Sequence, residues 1–155
     1  MSQMKAISLV ARLLIGVTFL YAGIVHIADP SGFAQAIAAY RILPAWAINP
    51  LAVSMPWVEA LTGLSLVGGR KTSGASLLAS LMLTVFAAAL TASLMRGLDI
   101  SCGCFTTAPE AEKITWWYLL RDIALLTVSI AIFSLEAYLS SSPPESQDPA
   151  TKLKP

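Results

Sequence analysis

The chain has 155 residues, of which 56% are hydrophobic and only 12% charged, with a formal net charge of +1. A soluble domain carries about a quarter charged residues, and a fold of this size has too much surface to cover with so few. The mean hydropathy of +0.71 and the lack of a basic cluster in the sequence exclude a cytosolic enzyme, a nucleic-acid-binding domain and a disordered chain. An integral membrane protein of one domain is left.

A membrane-spanning helix needs roughly 20 mostly apolar residues, and Ala6–Ile27 is the first stretch that qualifies. It is longer than the apolar part of a signal peptide, and no small-x-small cleavage site follows it, so it is expected to stay as an uncleaved span. At 100° per residue Arg12, Gly16, Phe19, Gly23 and His26 share one stripe. Small residues there let helices approach closely, which turns His26 toward the bundle. His26 is then either a structural hydrogen-bonding residue or a group that moves protons and helps ionise a thiol. Tyr21 is expected in the core, and Arg12 is expected to snorkel to lipid phosphate.

The following segment, Asp29–Asn49, has structure of its own. In Ser31–Tyr40, Phe33, Ile37 and Tyr40 fall at helical spacing, Ser31 or Asp29 can cap the start, and Pro44 stops the element. A short interfacial helix is predicted, covering the bundle or acting as a lid over a site. Trp46 and Trp57 suit the membrane interface.

Span two is predicted from Pro50 to Gly69, ending in a Gly68-Gly69 turn before Arg70-Lys71. Span three is predicted over Gly74–Met95 and span four over Ile114–Leu139, making residues 1–139 one four-helix membrane domain. Long unbroken apolar runs argue against strands. Ser140–Pro155 reads as a disordered tail. Four spans put both termini on one side, with Lys5, Arg12, Arg70, Lys71, Lys152 and Lys154. Arg41, Arg96, Lys113 and Arg121 lie toward the other side. The charge bias places the termini in the cytoplasm and the two long loops outside, in the periplasm of a bacterium whose inner membrane holds the chain.

Cys102-Gly103-Cys104 is the most specific local feature and contains both cysteines of the chain. Bridged Cα atoms lie about 4.4–6.8 Å apart, which a bent Cys-x-Cys segment can meet, and Gly eases the bend. So small a ring is expected to be strained and readily reduced, and closing so short a loop restrains little of the unfolded chain. Thiol–disulfide exchange therefore leads. Capture of a soft metal ion by two thiolates is the alternative, and a structural pair is a third reading. A closed structural zinc site wants four ligands, so no metal is assigned. No phosphate-binding glycine loop, nucleophile elbow or His-Glu metal motif is present in the sequence.

Ionisable residues within spans are the second clue, since they are costly and face the bundle interior. Glu59 lies about nine residues into span two, and Arg121 and Asp122 about eight into span four. Their matched depths predict a Glu59–Arg121 ion pair, either structural or holding a cation that lowers a thiol pKa.

Several segments together resemble the MauE branch of the MauE/DoxX redox-associated membrane proteins. They are Arg12-Leu13-Leu14-Ile15-Gly16, Tyr21-Ala22-Gly23, Asp29-Pro30 with Phe33 and Tyr40-Arg41-Ile42-Leu43-Pro44, Pro56-Trp57-Val58-Glu59, Arg96-Gly97-Leu98, Cys102-Gly103-Cys104-Phe105 and Leu120-Arg121-Asp122. The Cys-Gly-Cys-Phe block beside Arg-Asp in the last span is the specific part. Thr106 stands where the family usually has Gly. The resemblance implies a four-helix membrane bundle working with a periplasmic thioredoxin-like partner in maturing a disulfide-rich enzyme such as methylamine dehydrogenase. Similar four-helix enzymes relay electrons between two cysteine pairs, and this chain has one. Either that pair meets a quinone, the one candidate cofactor, or electrons pass between two external thiol partners. The residues expected to carry the chemistry are Cys102 and Cys104, with Arg121, Arg96 and His26 as thiolate stabilisers and Glu59 holding Arg121.

Overall fold

In lipid a backbone amide finds no water, so an apolar run of twenty or more residues satisfies its polar groups as a helix. A computed structural model describes residues 2–69, 71–98, 100 and 115–141. It consists of α1 (Ser2–Ala28), α2 (Pro30–Ala39), α3 (Ala45–Val67), α4 (Thr72–Met95) and α5 (Trp116–Ser141), with no strand among the described residues. All but α2 are long and apolar enough to cross a membrane. The chain is an all-α, multi-pass membrane protein with a four-helix bundle. The tail beyond Ser141, the sole two cysteines and Lys113 lie outside the described residues.

Burial is inverted relative to a soluble domain. Ser76, Ser93 and Ser129 are fully buried, while Ile7, Val17, Ile24, Leu61, Leu81 and Leu120 point outward, as a lipid solvent requires. Trp46, Trp116 and Trp117 are exposed at helix starts on one end of the bundle, the position of an interfacial aromatic belt.

α1 and α3 pack antiparallel, backbone to backbone. A Cβ on Gly63 would lie 2.5 Å from the Leu20 nitrogen, and one on Gly23 2.7 Å from the Ala60 nitrogen. Glycine is the side chain that permits this approach. α4 and α5 are joined by a serine seam, in which the Ser129 hydroxyl lies 3.0 Å from both the Ser80 hydroxyl and the Ser76 carbonyl. α1 meets α5 where Ser8 donates to Glu136 at 3.4 Å. Ile15, Phe19, Leu66, Ala79, Leu83 and Ile132 fill the space between the helices.

Three local expectations are corrected. Helix α3 begins at Ala45 rather than Pro50 and runs through both Pro50 and Pro56, because neighbouring helices and side chains offset the freed backbone groups of a membrane helix. Arg12 does not reach out to lipid. Its guanidinium donates to the Leu66 carbonyl at 3.3 Å, capping the negative end of α3. Tyr21 is 54% exposed, because it sits two residues past Phe19 and so on the opposite flank of α1.

Candidate functional site

Helix α2 is the roof of the site. Asp29 caps it by accepting from the Gly32 amide at 2.9 Å, Ser31 donates to the same carboxylate at 2.8 Å, and Pro30 occupies the first turn. The predicted stripe faces inward, with Phe33 and Tyr40 each 7% exposed. Arg41 takes a left-handed φ of 52° as the chain leaves the helix. Arg96, at the end of α4, donates to the Tyr40 carbonyl at 3.1 Å. Arg96 thus pins the far end of the roof.

Beneath α2 lies a cavity of about 430 Å³ bounded by all five helices. Its walls are mostly aliphatic and aromatic, from Phe19, Met55, Leu83 and Phe86 among others. Its polar lining is His26, Glu59, Arg121, Asp122, Tyr40 and Thr18. His26, Glu59 and Arg121 are candidates from the sequence, and the fold brings all three to this one space. Cys102 and Cys104 lie outside the described residues, so their contacts with it are not described.

The expected Glu59–Arg121 pair is corrected. Glu59 Oε2 lies 2.8 Å from His26 Nδ1, with the two side chains 11% and 3% exposed. A carboxylate only accepts, so Nδ1–H is the donor. Gly23 lies on the α1 turn before His26, and its contacts with Pro56 and Ala60 set the two residues opposite each other. The His26 ring also stacks on Phe33, with centroids 3.9 Å apart and planes 12° from parallel. Arg121 instead lies over Tyr118, its guanidinium carbon 5.2 Å from the ring centroid.

Two site residues had not been assigned to the site. Asp122 is 2% exposed, and its Oδ2 has no hydrogen-bond partner although it is buried. Tyr40 and Leu90 form a buried cluster against which Phe86 and Ile100 pack. Burial and the Asp122 carboxyl push the Tyr40 phenol well above its ordinary pKa of 10.0, Arg121 opposing them, so it stays a neutral hydrogen-bonding group. Both residues carried a signal in the sequence: Tyr40 in its helical spacing with Phe33, Asp122 as a charge inside a span. Among the described residues no three His, Cys, Asp or Glu side chains converge as metal ligands.

Residues 4–135 match the family model of methylamine utilisation protein MauE. This chain belongs to the MauE family. It is similar to the methylamine utilization protein MauE of Paracoccus denitrificans, with 30% identity over 122 residues, 78% of this chain and 65% of that protein. The MauE protein of Methylophilus methylotrophus is 24% identical over 135 residues, 86% of this chain and 71% of that one. That of Methylorubrum extorquens is 26% identical over 112 residues, 72% and 58% of the two chains. This MauE-family chain therefore spans about two thirds of the length of the relatives it matches. No solved structure matches it.

Proposed function

We propose that this MauE-family chain is a thiol–disulfide redox protein of a bacterial inner membrane. Cys102 and Cys104 exchange electrons with a periplasmic thioredoxin-like partner and so support disulfide formation in a periplasmic enzyme such as methylamine dehydrogenase. The termini then lie in the cytoplasm. A thiolate of the pair attacks the partner's disulfide, or a partner thiolate attacks theirs, and the second cysteine resolves the mixed disulfide. The relatives named for methylamine utilization support the setting.

The observation that carries the reading is the meeting of costly buried groups with the cysteine segment's neighbours. His26, Glu59 and Asp122 are the buried imidazole and carboxyl residues of the described chain, and all three line one cavity. Ile100 packs against the cluster of Tyr40 and Leu90, of which Tyr40 lines that cavity, and Cys102 follows Ile100 by two residues. Two residues of chain reach at most about 7 Å. Arg121 and His26 are accordingly proposed to favour the thiolate, and Glu59 to hold the His26 ring.

The test is trapping. A Cys102→Ser or Cys104→Ser variant in the native membrane should hold its partner as a mixed disulfide, released by reductant and identified by mass spectrometry. If neither single variant yields a reductant-sensitive adduct and the double variant supports enzyme maturation as the parent does, the exchange mechanism is wrong.

A further inference from the structure

The cavity beneath α2 reaches the surface between apolar side chains. Its exposed lining is Ile42 and Leu43 of the loop after α2, 49% and 40% exposed, with Leu51 of α3 and Val85 of α4, 37% and 59% exposed. Val85 lies ten residues before the end of α4 at Met95, about 15 Å along the helix axis, so on the α4 side the apolar mouth reaches hydrocarbon depth. α1 packs mainly on α3 and α4 mainly on α5, and the weaker α3–α4 contact leaves this gap. A ligand entering here comes from the bilayer and is itself lipid-soluble.

The inner end specifies the head of that ligand. At about 430 Å³ the cavity is far larger than the share of one water, about 30 Å³. It falls among small-molecule sites, which run to about 300–1,000 Å³. The stacked His26 and Phe33 rings form a flat wall. Around it stand two carboxyls, one guanidinium, one imidazole and one phenol. Two carboxyls beside a single arginine disfavour an anionic phosphate headgroup and favour a neutral one that hydrogen-bonds. Asp122 Oδ2, buried and without a hydrogen-bond partner, is a group of the kind a ligand would satisfy. Carboxyl and imidazole groups accept or donate according to protonation. They can therefore hold both members of a pair that trades carbonyl acceptors for hydroxyl donors.

We propose that this cavity is a quinone site, with the ring against His26 and Asp122 and the apolar tail leaving between α3 and α4. This inference rests on the exchange reading for its chemistry. The chain holds one cysteine pair, so electrons reaching it need a further acceptor. Two thiols of Cys102 and Cys104 become one disulfide and release two electrons and two protons. The two carbonyls of the quinone take up both and become the two hydroxyls of a hydroquinone.

The test uses the full chain in lipid nanodiscs with ubiquinone-1 as the probe. Saturable binding of one ubiquinone-1 per chain is expected, above partition into protein-free discs and unchanged in a Cys102→Ser/Cys104→Ser variant. Filling the cavity with Ala22→Phe or Ala89→Phe should weaken binding at least tenfold with unchanged helical circular dichroism. Asp122→Asn should weaken it several-fold. The anaerobic reduced protein should form one hydroquinone per disulfide made. Binding no greater than in empty discs overturns the site, as do both filled variants binding like the parent, or a co-purified phospholipid that ubiquinone-1 does not displace. If a mixed disulfide with a partner is trapped while ubiquinone-1 does not bind, the quinone site fails and the exchange reading stands. If ubiquinone-1 binds saturably and no mixed disulfide forms, the site stands and the exchange reading fails.

Discussion

Replacing Glu59 probes the buried pair most directly. The Glu59 and His26 side chains are 11% and 3% exposed and meet at 2.8 Å, so neither can turn to water when the other is lost. In Glu59→Leu the imidazole N–H keeps its position without an acceptor. That costs about 1–3 kcal/mol for a neutral ring and roughly 3–5 kcal/mol if the ring carries a proton. Glu59→Gln retains an amide oxygen as acceptor and gives up only the charge assistance, about 1 kcal/mol. The double variant His26→Phe/Glu59→Leu removes both polar groups and keeps a ring to stack on Phe33, so it should recover most of the loss. Equilibrium unfolding in detergent micelles, followed by circular dichroism, gives the double-mutant cycle, with a coupling of at least about 1 kcal/mol expected. A double variant as unstable as the sum of its singles would show that the two residues do not act as a pair. A parallel Glu59/Arg121 cycle should show the smaller coupling.

Gly63→Ala places a methyl group 2.5 Å from the Leu20 nitrogen and 2.6 Å from the Gly16 carbonyl. Since both are backbone atoms, α1 and α3 must separate, and micelle unfolding should register a loss of about 1–3 kcal/mol. The raised Tyr40 pKa favours the neutral phenol in the folded state. That contribution is fully present below the ordinary value of 10.0 and is lost as pH climbs from there toward the raised one. Stability should thus fall above pH 10 in the parent and fall less in Tyr40→Phe, read from unfolding midpoints across pH. For topology, a membrane-impermeant thiol reagent should label reduced Cys102 and Cys104 from the periplasmic side, and labelling only from the cytoplasm reverses the proposed orientation. In glutathione buffers, with thiols counted by alkylation and mass shift, the pair should equilibrate at roughly −120 to −230 mV, and a value below about −300 mV would mark an inert structural bond.

The four spans were legible because length and apolarity alone decide them: lipid leaves a long apolar run no other conformation. The roof helix was legible for a different reason. Asp29, Pro30 and the Phe33, Ile37, Tyr40 spacing are local signals, and the cap and buried face form as they specify. The stripe from Arg12 to His26 likewise anticipates which side of α1 is buried. What local pattern could not convey was partnership. Depth along the membrane matched Glu59 to Arg121 and put His26 at the end of its span, yet Glu59 pairs with His26. The choice depends on the α1–α3 register, set by where Gly16, Gly23 and Gly63 let the backbones touch. The same register delivers Arg12 to the Leu66 carbonyl, and no depth argument could have found that. The start of α3 before Pro50 has a third reason, since a packed membrane helix tolerates internal prolines that a helix in water would not.

The two ends of the bundle bury polarity in different ways, and the difference bears on function. Between α4 and α5 the buried hydroxyls of Ser76, Ser80 and Ser129 are satisfied by one another and by helix carbonyls. Such groups are small, mildly costly to bury, and draw helices together. Under the roof the buried groups are His26, Glu59 and Asp122, each far costlier to take from water. Packing alone would be served as well by leucine, and a structural ion pair would need only two of them. A third ionisable group with an unmet oxygen, beside a cavity rather than a filled core, adds to that cost with no packing return. The end of the bundle that carries the cost is the end where Ile100 leads toward Cys102. That coincidence is what makes a chemical role for the cluster the better reading than a structural one.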